Sequence, residues 1–115
     1  PETVPTTIQP AVLAPDQRQF ATGSTDQLVR IWDAETGRVL RQMRHGSEIN
    51  SLAYSPDGRQ LASAGEDRIV RIWNCADGTP VRELVGHRNE IMSVQFSPDG
   101  KRIATASQDF SGRIW

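Results

Sequence analysis

Three side chains in the middle of the chain, Ser63, His45 and Asp67, have the residue types of a hydrolase triad. A nucleophilic serine needs a base, an orienting acid and an oxyanion hole on an accessible surface. Ser63 lies inside the apolar segment formed by residues 60–64, and no glycine-rich elbow accompanies it. The sequence around Ser63 therefore favours a structural role over nucleophilic catalysis.

The same residue types recur further along the chain, where His87, Thr105 and Asp109 repeat the spacing with threonine in place of serine. A catalytic site seldom exists in duplicate. An indole N–H only donates and a carboxylate only accepts, whereas a hydroxyl or a neutral imidazole does both. We therefore expect two internal hydrogen-bond chains, Trp73 to Ser63 to His45 to Asp67, and Trp115 to Thr105 to His87 to Asp109.

The chain is built from three similar units, at residues 1–44, 45–86 and 87–115. Nearly half of the positions agree when residues 45–73 are aligned without gaps with residues 87–115, and each of these windows ends on a tryptophan. Self-similarity at a fixed period of this length indicates a repeat architecture.

One unit contains four short segments that are rich in β-branched, aromatic or alternating apolar residues. Between the first two of them stands Ser55-Pro56-Asp57-Gly58, whose residues favour a tight turn because proline presets φ and glycine accepts a positive φ. No segment keeps a helical period for three turns. The unit therefore predicts four strands joined by turns, at residues 49–54, 60–64, 69–73 and 81–85.

The stretch SPDGRQLASAGEDRIVRIWN, the pair Gly86-His87 and the pair Trp32-Asp33 resemble the signature of WD repeats. The Ser-Pro-Asp-Gly turns, which occur at residues 55–58 and 97–100, resemble the turns in tandem WD-repeat arrays of large bacterial-type proteins. The resemblance implies an all-β fold of three four-stranded antiparallel β-propeller blades, the last without its fourth strand, in a larger or oligomeric ring. It also implies that the two hydrogen-bond chains are the structural tetrads of the family.

The first unit departs from this pattern because Val4 occupies the histidine position. Its network is expected to remain partial, with Thr22, Asp26 and Trp32 in place. An arginine precedes each Ile-Trp pair, and we expect its stem to pack between blades while the charge reaches solvent. These arginines are Arg30, Arg71 and Arg113.

The family resemblance implies a rigid, non-catalytic scaffold that presents loops to protein partners. The alternative is a sensing or regulatory array attached to a kinase, nucleotidase or protease domain in a longer parent chain. No phosphate loop or metal-ligand spacing is present, so neither an enzyme nor a cofactor nor a metal is expected. The candidate partner-binding residues are Ser47, Glu48, Arg88, Asn89 and Glu90 in the loops between units, and Gln27, Glu66, Arg68, Gln108 and Phe110 in the turns between the second and third strands.

The net charge and the cysteine content limit which partners and which cellular compartment are expected. The net charge is -1 with no basic stripe, so neither a nucleic acid nor a membrane surface is expected as a partner. Cys75 is the only cysteine and cannot form an internal disulfide, which favours a reducing, cytoplasmic setting. Propellers close at about four to eight blades. We therefore expect three blades to be a piece of a longer chain or to self-associate into a closed ring.

Overall fold

The computed structural model describes residues 8–108 and 111–115, and in this part of the chain eleven strands form three antiparallel sheets without any helix. The strands are β1 (Ile8–Leu13), β2 (Gln19–Ser24), β3 (Leu28–Asp33), β4 (Val39–Arg44), β5 (Ile49–Tyr54), β6 (Gln60–Gly65), β7 (Ile69–Asn74), β8 (Pro80–Val85), β9 (Ile91–Phe96), β10 (Ile103–Ser107) and β11 (Gly112–Ile114).

Each sheet is a meander in which consecutive strands pair. Blade 1 has the order β1-β2-β3-β4, blade 2 the order β5-β6-β7-β8, and blade 3 the order β9-β10-β11. Strands β1, β5 and β9 contact one another in that sequence, so the three blades stack side by side. The predicted all-β fold, with four, four and three strands in the described residues, is confirmed.

The turn between the first two strands of blade 2 shows why the Ser-Pro-Asp-Gly sequence stops a strand. The Ser55 hydroxyl donates to the Asp57 carboxylate at 2.6 Å, and that carboxylate accepts from the Arg59 amide at 2.9 Å. Gly58 then adopts a φ of 73°, which is open to glycine without a steric penalty. The Ser55 hydrogen bond also lowers the pKa of Asp57. The turn is therefore held by its own side chains.

The hydrophobic core lies between the blades. Apolar residues of blade 1 meet those of blade 2 in one cluster, and a second cluster joins blades 2 and 3. The fully covered side chains include Ile31, Ile49 and Leu61 in the first cluster and Ala62, Val70 and Ile91 in the second. Since strand residues alternate between faces, blade 2 contributes one face to each cluster.

The two outer blades show local irregularities. Pro10 lies in β1, and the pairing of β1 with β2 shifts register between Ile8 and Ala11. A proline cannot donate to a ladder, so it is tolerated where one strand edge is unpaired. In blade 3 the last described strand, β11, has only three residues and begins at Gly112. The pairing of β5 with β6 in blade 2 shifts register in a similar way, between Ile49 and Ser51, so this irregularity is a feature of the repeat and not of the end blades.

Candidate protein-interaction site

Blade 2 contains the first three members of the expected hydrogen-bond chain in direct contact. The Trp73 indole N–H donates to Ser63 Oγ at 2.8 Å, and His45 Nδ1 lies 2.8 Å from the same oxygen. Because the hydroxyl accepts from the indole, its own proton can be donated to Nδ1 of a neutral imidazole. Ser63 has no exposed surface and His45 is 1% exposed. This serine is therefore not presented to solvent as a nucleophile.

The step from His45 to Asp67 is longer than expected. His45 Nε2 lies 3.6 Å from Asp67 Oδ1, beyond hydrogen-bond range, and finds no hydrogen-bond partner among the described residues. Asp67 instead accepts from Arg71 Nη1 at 2.5 Å, and Arg71 Nε also lies 3.4 Å from Glu83. Burial of the imidazole lowers the pKa of His45 to about 4; Asp67 opposes this shift and Arg71 adds to it.

Blade 3 repeats the contact between indole, hydroxyl and imidazole, but its imidazole contacts the hydroxyl through the other ring nitrogen. Trp115 Nε1 donates to Thr105 Oγ1 at 3.0 Å, while His87 uses Nε2, at 2.6 Å from that oxygen. His87 Nδ1 lies 3.4 Å from the Ser111 hydroxyl. The predicted carboxylate, Asp109, lies outside the described residues.

Blade 1 has the indole–hydroxyl pair and a different set of polar groups beyond it. Trp32 Nε1 donates to Thr22 Oγ1 at 2.9 Å. Asp26 accepts from the Ser24 hydroxyl and from Arg30 Nη2, the latter at 2.6 Å. The Arg30 hydrogen bond is the largest of the effects that lower the pKa of Asp26 to about 2. Val4, which replaces histidine in the sequence, lies outside the described residues.

The sequence-based prediction for the repeated arginines did not include their pairing with the turn aspartates. Arg30 and Arg71 each form an ion pair with the aspartate four residues earlier, so their charges do not simply extend into solvent. The guanidinium of Arg113 instead lies over the Trp115 ring, 5.9 Å from its centre. The signal was available, because an Asp-x-x-x-Arg spacing recurs in all three units.

The inter-unit loops and the turns between second and third strands meet on one end of the blades. The Glu66 amide donates to the Glu48 carbonyl and the Gln108 amide to the Glu90 carbonyl, both at 3.1 Å. We call this end of the molecule the loop face. It comprises Gln27, Ser47, Glu48, Glu66, Arg68, Arg88, Asn89, Glu90 and Gln108; the remaining candidate, Phe110, lies outside the described residues.

The residues of the loop face differ in exposure. Ser47, Glu48 and Glu90 are half-buried, and Ser47 Oγ accepts from the Asp67 amide at 3.3 Å. The other six residues are exposed. Glu66 shares a hydrogen bond with Glu48, which raises the pKa of Glu66 together with the nearby negative charge. The loop face thus offers both charge signs to a partner.

The opposite end of the blades carries a groove of about 630 Å³ where blades 1 and 2 meet. Its lining includes Asp16, Asp57, Arg59 and the half-buried Cys75, whose pKa is raised to about 11, mainly by burial. A thiol with a raised pKa is a poor nucleophile. In the described residues no cluster of His, Cys, Asp and Glu could hold a metal ion, and no helix could cross a membrane.

Stacked antiparallel meanders, of four, four and three strands in the described residues, are joined through a core between their faces. This arrangement defines the sheets as blades of a β-propeller. The sequence profile of the WD40 family (WD domain, G-beta repeat) matches residues 6–33, 37–74 and 78–115. The chain belongs to this family, and its three predicted WD repeats are confirmed. Propellers of this family typically have no catalytic activity of their own and mediate contacts between proteins.

Two solved structures illustrate the similarity. The structure of U3-55K matches with a TM-score of 0.92 and 24% identity, over 99% of this chain and 37% of that chain. The crystal structure of RRP9 WD40 repeats matches with the same TM-score and identity, over 99% of this chain and 36% of that one. The present chain therefore spans little more than a third of their length, and the likeness establishes the fold alone.

Proposed function

We propose that this chain is a non-catalytic interaction scaffold whose protein partner docks on the loop face. The observation that carries the proposal is the backbone at the tips of two turns. Gln27 and Arg68 have φ values of 71° and 70°, and both side chains are exposed. A residue other than glycine in this left-handed region costs about 1 kcal/mol.

The turns at the opposite end of the blades have the same backbone conformation but different residues. There the three equivalent turns place Gln17, Gly58 and Gly100 in the left-handed region, so two of three positions use glycine. At the corresponding loop-face positions the sequence has Gln27, Arg68 and Phe110, and none is glycine. The chain keeps large side chains at strained tips on the loop face. Partner contact supplies a reason for that cost.

The internal contacts of Arg68 do not supply such a reason. Its Nη1 lies 3.5 Å from the Arg88 carbonyl, at the long limit of a hydrogen bond, and its side chain is exposed. Arginine is also enriched among the residues that contribute most to protein–protein binding. Arg68 is therefore the residue on which we expect partner affinity to depend most.

A peptide ligand selected from a random phage-displayed library on the wild-type chain provides the probe. We expect Arg68→Gly to weaken its binding about tenfold or more, equivalent to about 1.4 kcal/mol, and Gln27→Gly to weaken it less. Gln17→Gly is the matched control, since it relieves the same backbone strain at the other end of the blades. All three variants should keep or raise the melting temperature. Selected peptides that bind all three variants as tightly as wild type would contradict a loop-face site.

We also infer that the chain self-associates, because both outer blades leave an apolar face uncovered by any described residue. Leu13 on blade 1 is 60% exposed and Ile114 on blade 3 is 69% exposed. Large apolar side chains exposed on an uncovered sheet face favour protein–protein contact. Sedimentation velocity at increasing concentration tests the inference, and a single species at the 12.8 kDa of one chain throughout would contradict it.

A further inference from the structure

The groove between blades 1 and 2 lies at an interface inside the chain, at the end of the blades opposite the loop face. Three turns form it, and they follow strands β1, β5 and β7. Its volume of about 630 Å³ is in the range of sites that take up a small ligand or a long side chain. The groove is therefore large enough to receive a side chain of another protein.

The hydroxyl of Tyr54 is buried beside this groove and has no hydrogen-bond partner among the described residues. Tyr54 is the last residue of β5 and is 9% exposed. It belongs to the same apolar cluster as Ala14, and Cys75 packs against that cluster; both of these residues line the groove. Burial raises the pKa of Tyr54, and the nearby Cys75 and Asp16 add to this effect. The hydroxyl is therefore surrounded by residues of the groove lining.

The other two blades show that the fold does not need a hydroxyl at this place. Tyr54 is paired with the second strand of its blade in the register that Leu13 has in blade 1 and Phe96 has in blade 3. Neither of those side chains has a polar atom. A buried hydroxyl without a partner lowers the stability of a protein. A ligand that forms a hydrogen bond to Tyr54 supplies a reason for its presence in blade 2.

The groove carries more negative than positive charge. Asp16 comes from blade 1 and Asp57 from blade 2, and Arg59 is the one cation in the described lining. Oδ1 of Asp16 accepts from the Arg18 amide, and Oδ1 of Asp57 accepts from the Arg59 amide, both at 2.9 Å. The Oδ2 atoms of both carboxylates form no hydrogen bond or ion pair with a described residue. Two charged oxygens are thus available to a cation.

We propose that the groove binds an arginine side chain of a partner protein, with Asp16 and Asp57 holding the guanidinium and the Tyr54 hydroxyl accepting from one of its N–H groups. A guanidinium has five N–H donors and no acceptor, which suits two carboxylates from different blades and a hydroxyl. Ala14 offers apolar surface to the stem of the arginine. Because the hydroxyl is covered in the free chain, binding includes a displacement of a lining side chain such as the half-buried Cys75.

Three short blocked peptides serve as probes, with arginine, citrulline or lysine between alanine and glycine residues. Citrulline has the shape of arginine without its charge. Titration of the isotope-labelled chain is followed by the NMR shifts of the backbone amides. The arginine peptide should shift residues 14–19, 57–60 and 74–76 in a saturable way. The citrulline peptide should bind about tenfold more weakly, and the lysine peptide about threefold more weakly.

The variant Tyr54→Phe separates binding from folding. It should weaken binding of the arginine peptide about threefold or more, because one hydrogen bond is lost. Its melting temperature should be equal to that of wild type or higher, since the substitution removes only a hydroxyl without a partner. Phe96 occupies the same place in blade 3, so the aromatic ring is compatible with the fold.

Two further variants remove one negative charge each from the groove. Asp16→Asn and Asp57→Asn keep an oxygen that accepts the hydrogen bonds within each turn, and each should weaken binding about threefold. Asp99→Asn is the matched control, because Asp99 accepts from the Ser97 hydroxyl at 2.6 Å in the equivalent turn of blade 3 and does not line the groove. It should bind the arginine peptide as wild type does.

Several results would overturn the proposal. Wild type that shows no shift in the three segments with an excess of arginine peptide refutes the site. Equal binding of the arginine and citrulline peptides, or an Asp99→Asn variant as weak as Asp57→Asn, refutes recognition of charge by this groove. Equal binding of the lysine peptide refutes the assignment to a guanidinium. A folded Tyr54→Phe variant with wild-type affinity removes the hydroxyl from the site.

Discussion

Blades 1 and 2 share one strand register but differ in what lies beyond the tryptophan. In both blades the indole donates to a hydroxyl on the neighbouring strand, at 2.9 Å to Thr22 and at 2.8 Å to Ser63. In blade 2 an imidazole follows. In blade 1 a serine, Ser24, stands where blade 2 has Gly65, and it bonds to Asp26 and Arg30.

The difference shows that the indole–hydroxyl pair does not depend on the imidazole. Trp32 and Thr22 find each other because β2 and β3 pair in the same register as β6 and β7. Trp32 is half-buried, whereas Trp73 is covered by the core between blades 1 and 2. The indole of blade 1 is therefore only partly covered, whereas the neighbouring blade removes the indole of blade 2 from water. An unpaired polar group costs most in such a place.

The position shared by Ser24 and Gly65 gives the largest expected contrast. A Cβ at Gly65 would lie 1.9 Å from the Glu48 carbonyl oxygen and 2.9 Å from its carbon, which are backbone atoms that cannot swing away. Gly65→Ala should therefore destabilise the chain by about 3 kcal/mol. Ser24→Ala should cost only about 1 kcal/mol, since it removes hydrogen bonds and adds no atom.

Urea unfolding of both variants measures this contrast. Wild-type stability for Gly65→Ala would mean that the loop before β5 yields to the added methyl group. The hydrogen bond from the Glu66 amide to the Glu48 carbonyl should also weaken in Gly65→Ala, because the methyl group would displace that carbonyl.

Removing the hydroxyl from each network gives the second contrast. Ser63→Ala leaves the Trp73 indole N–H and His45 Nδ1 without their partner in a fully buried place, so we expect a loss of about 2 kcal/mol. Thr22→Val removes the hydroxyl beside Trp32, which is only half-buried. The indole N–H can then form a hydrogen bond to water instead, so this substitution should cost about 1 kcal/mol or less. Equal losses in urea unfolding would show that burial of the indole does not set the contribution of the hydroxyl to stability.

Much of the fold could be predicted because its signals are local. The turn residues Ser55 to Gly58, the β-branched segments and the recurring tryptophans fix the strands, their order and their pairing within a blade. The contact of Trp73 with Ser63 follows from that pairing once the register is known. Sequence reasoning therefore reached the blades and the first steps of each network.

The remaining features depend on distances between elements. The spacing of His45 and Asp67 did not reveal that Arg71 draws the carboxylate into its own ion pair. Gly65 is unremarkable in the sequence, and only the passage of the Glu48 backbone beside it makes a side chain impossible there. The strained tips Gln27 and Arg68 likewise emerged only from the backbone angles.

The third contrast is between blade 2, which contains the buried imidazole of His45, and blade 1, which has no histidine. The pKa of His45 is about 4 in the folded chain and 6.5 in its ordinary state, so the unfolded chain binds more protons between these values. Stability should therefore fall as pH decreases below about 6.5 and should stop falling near pH 4. Between about pH 7.5 and about pH 5 the loss is about 1–2 kcal/mol.

His45→Gln is the variant that isolates this effect. It should be less stable than wild type at about pH 7.5, because the contact with Ser63 is weakened, but its stability should change less on acidification. Glu66, whose raised pKa acts in the opposite direction, is common to both chains and cancels in the difference. The urea midpoints of the two chains should therefore converge towards about pH 5. Parallel pH profiles would mean that His45 takes up its proton as readily in the folded as in the unfolded chain.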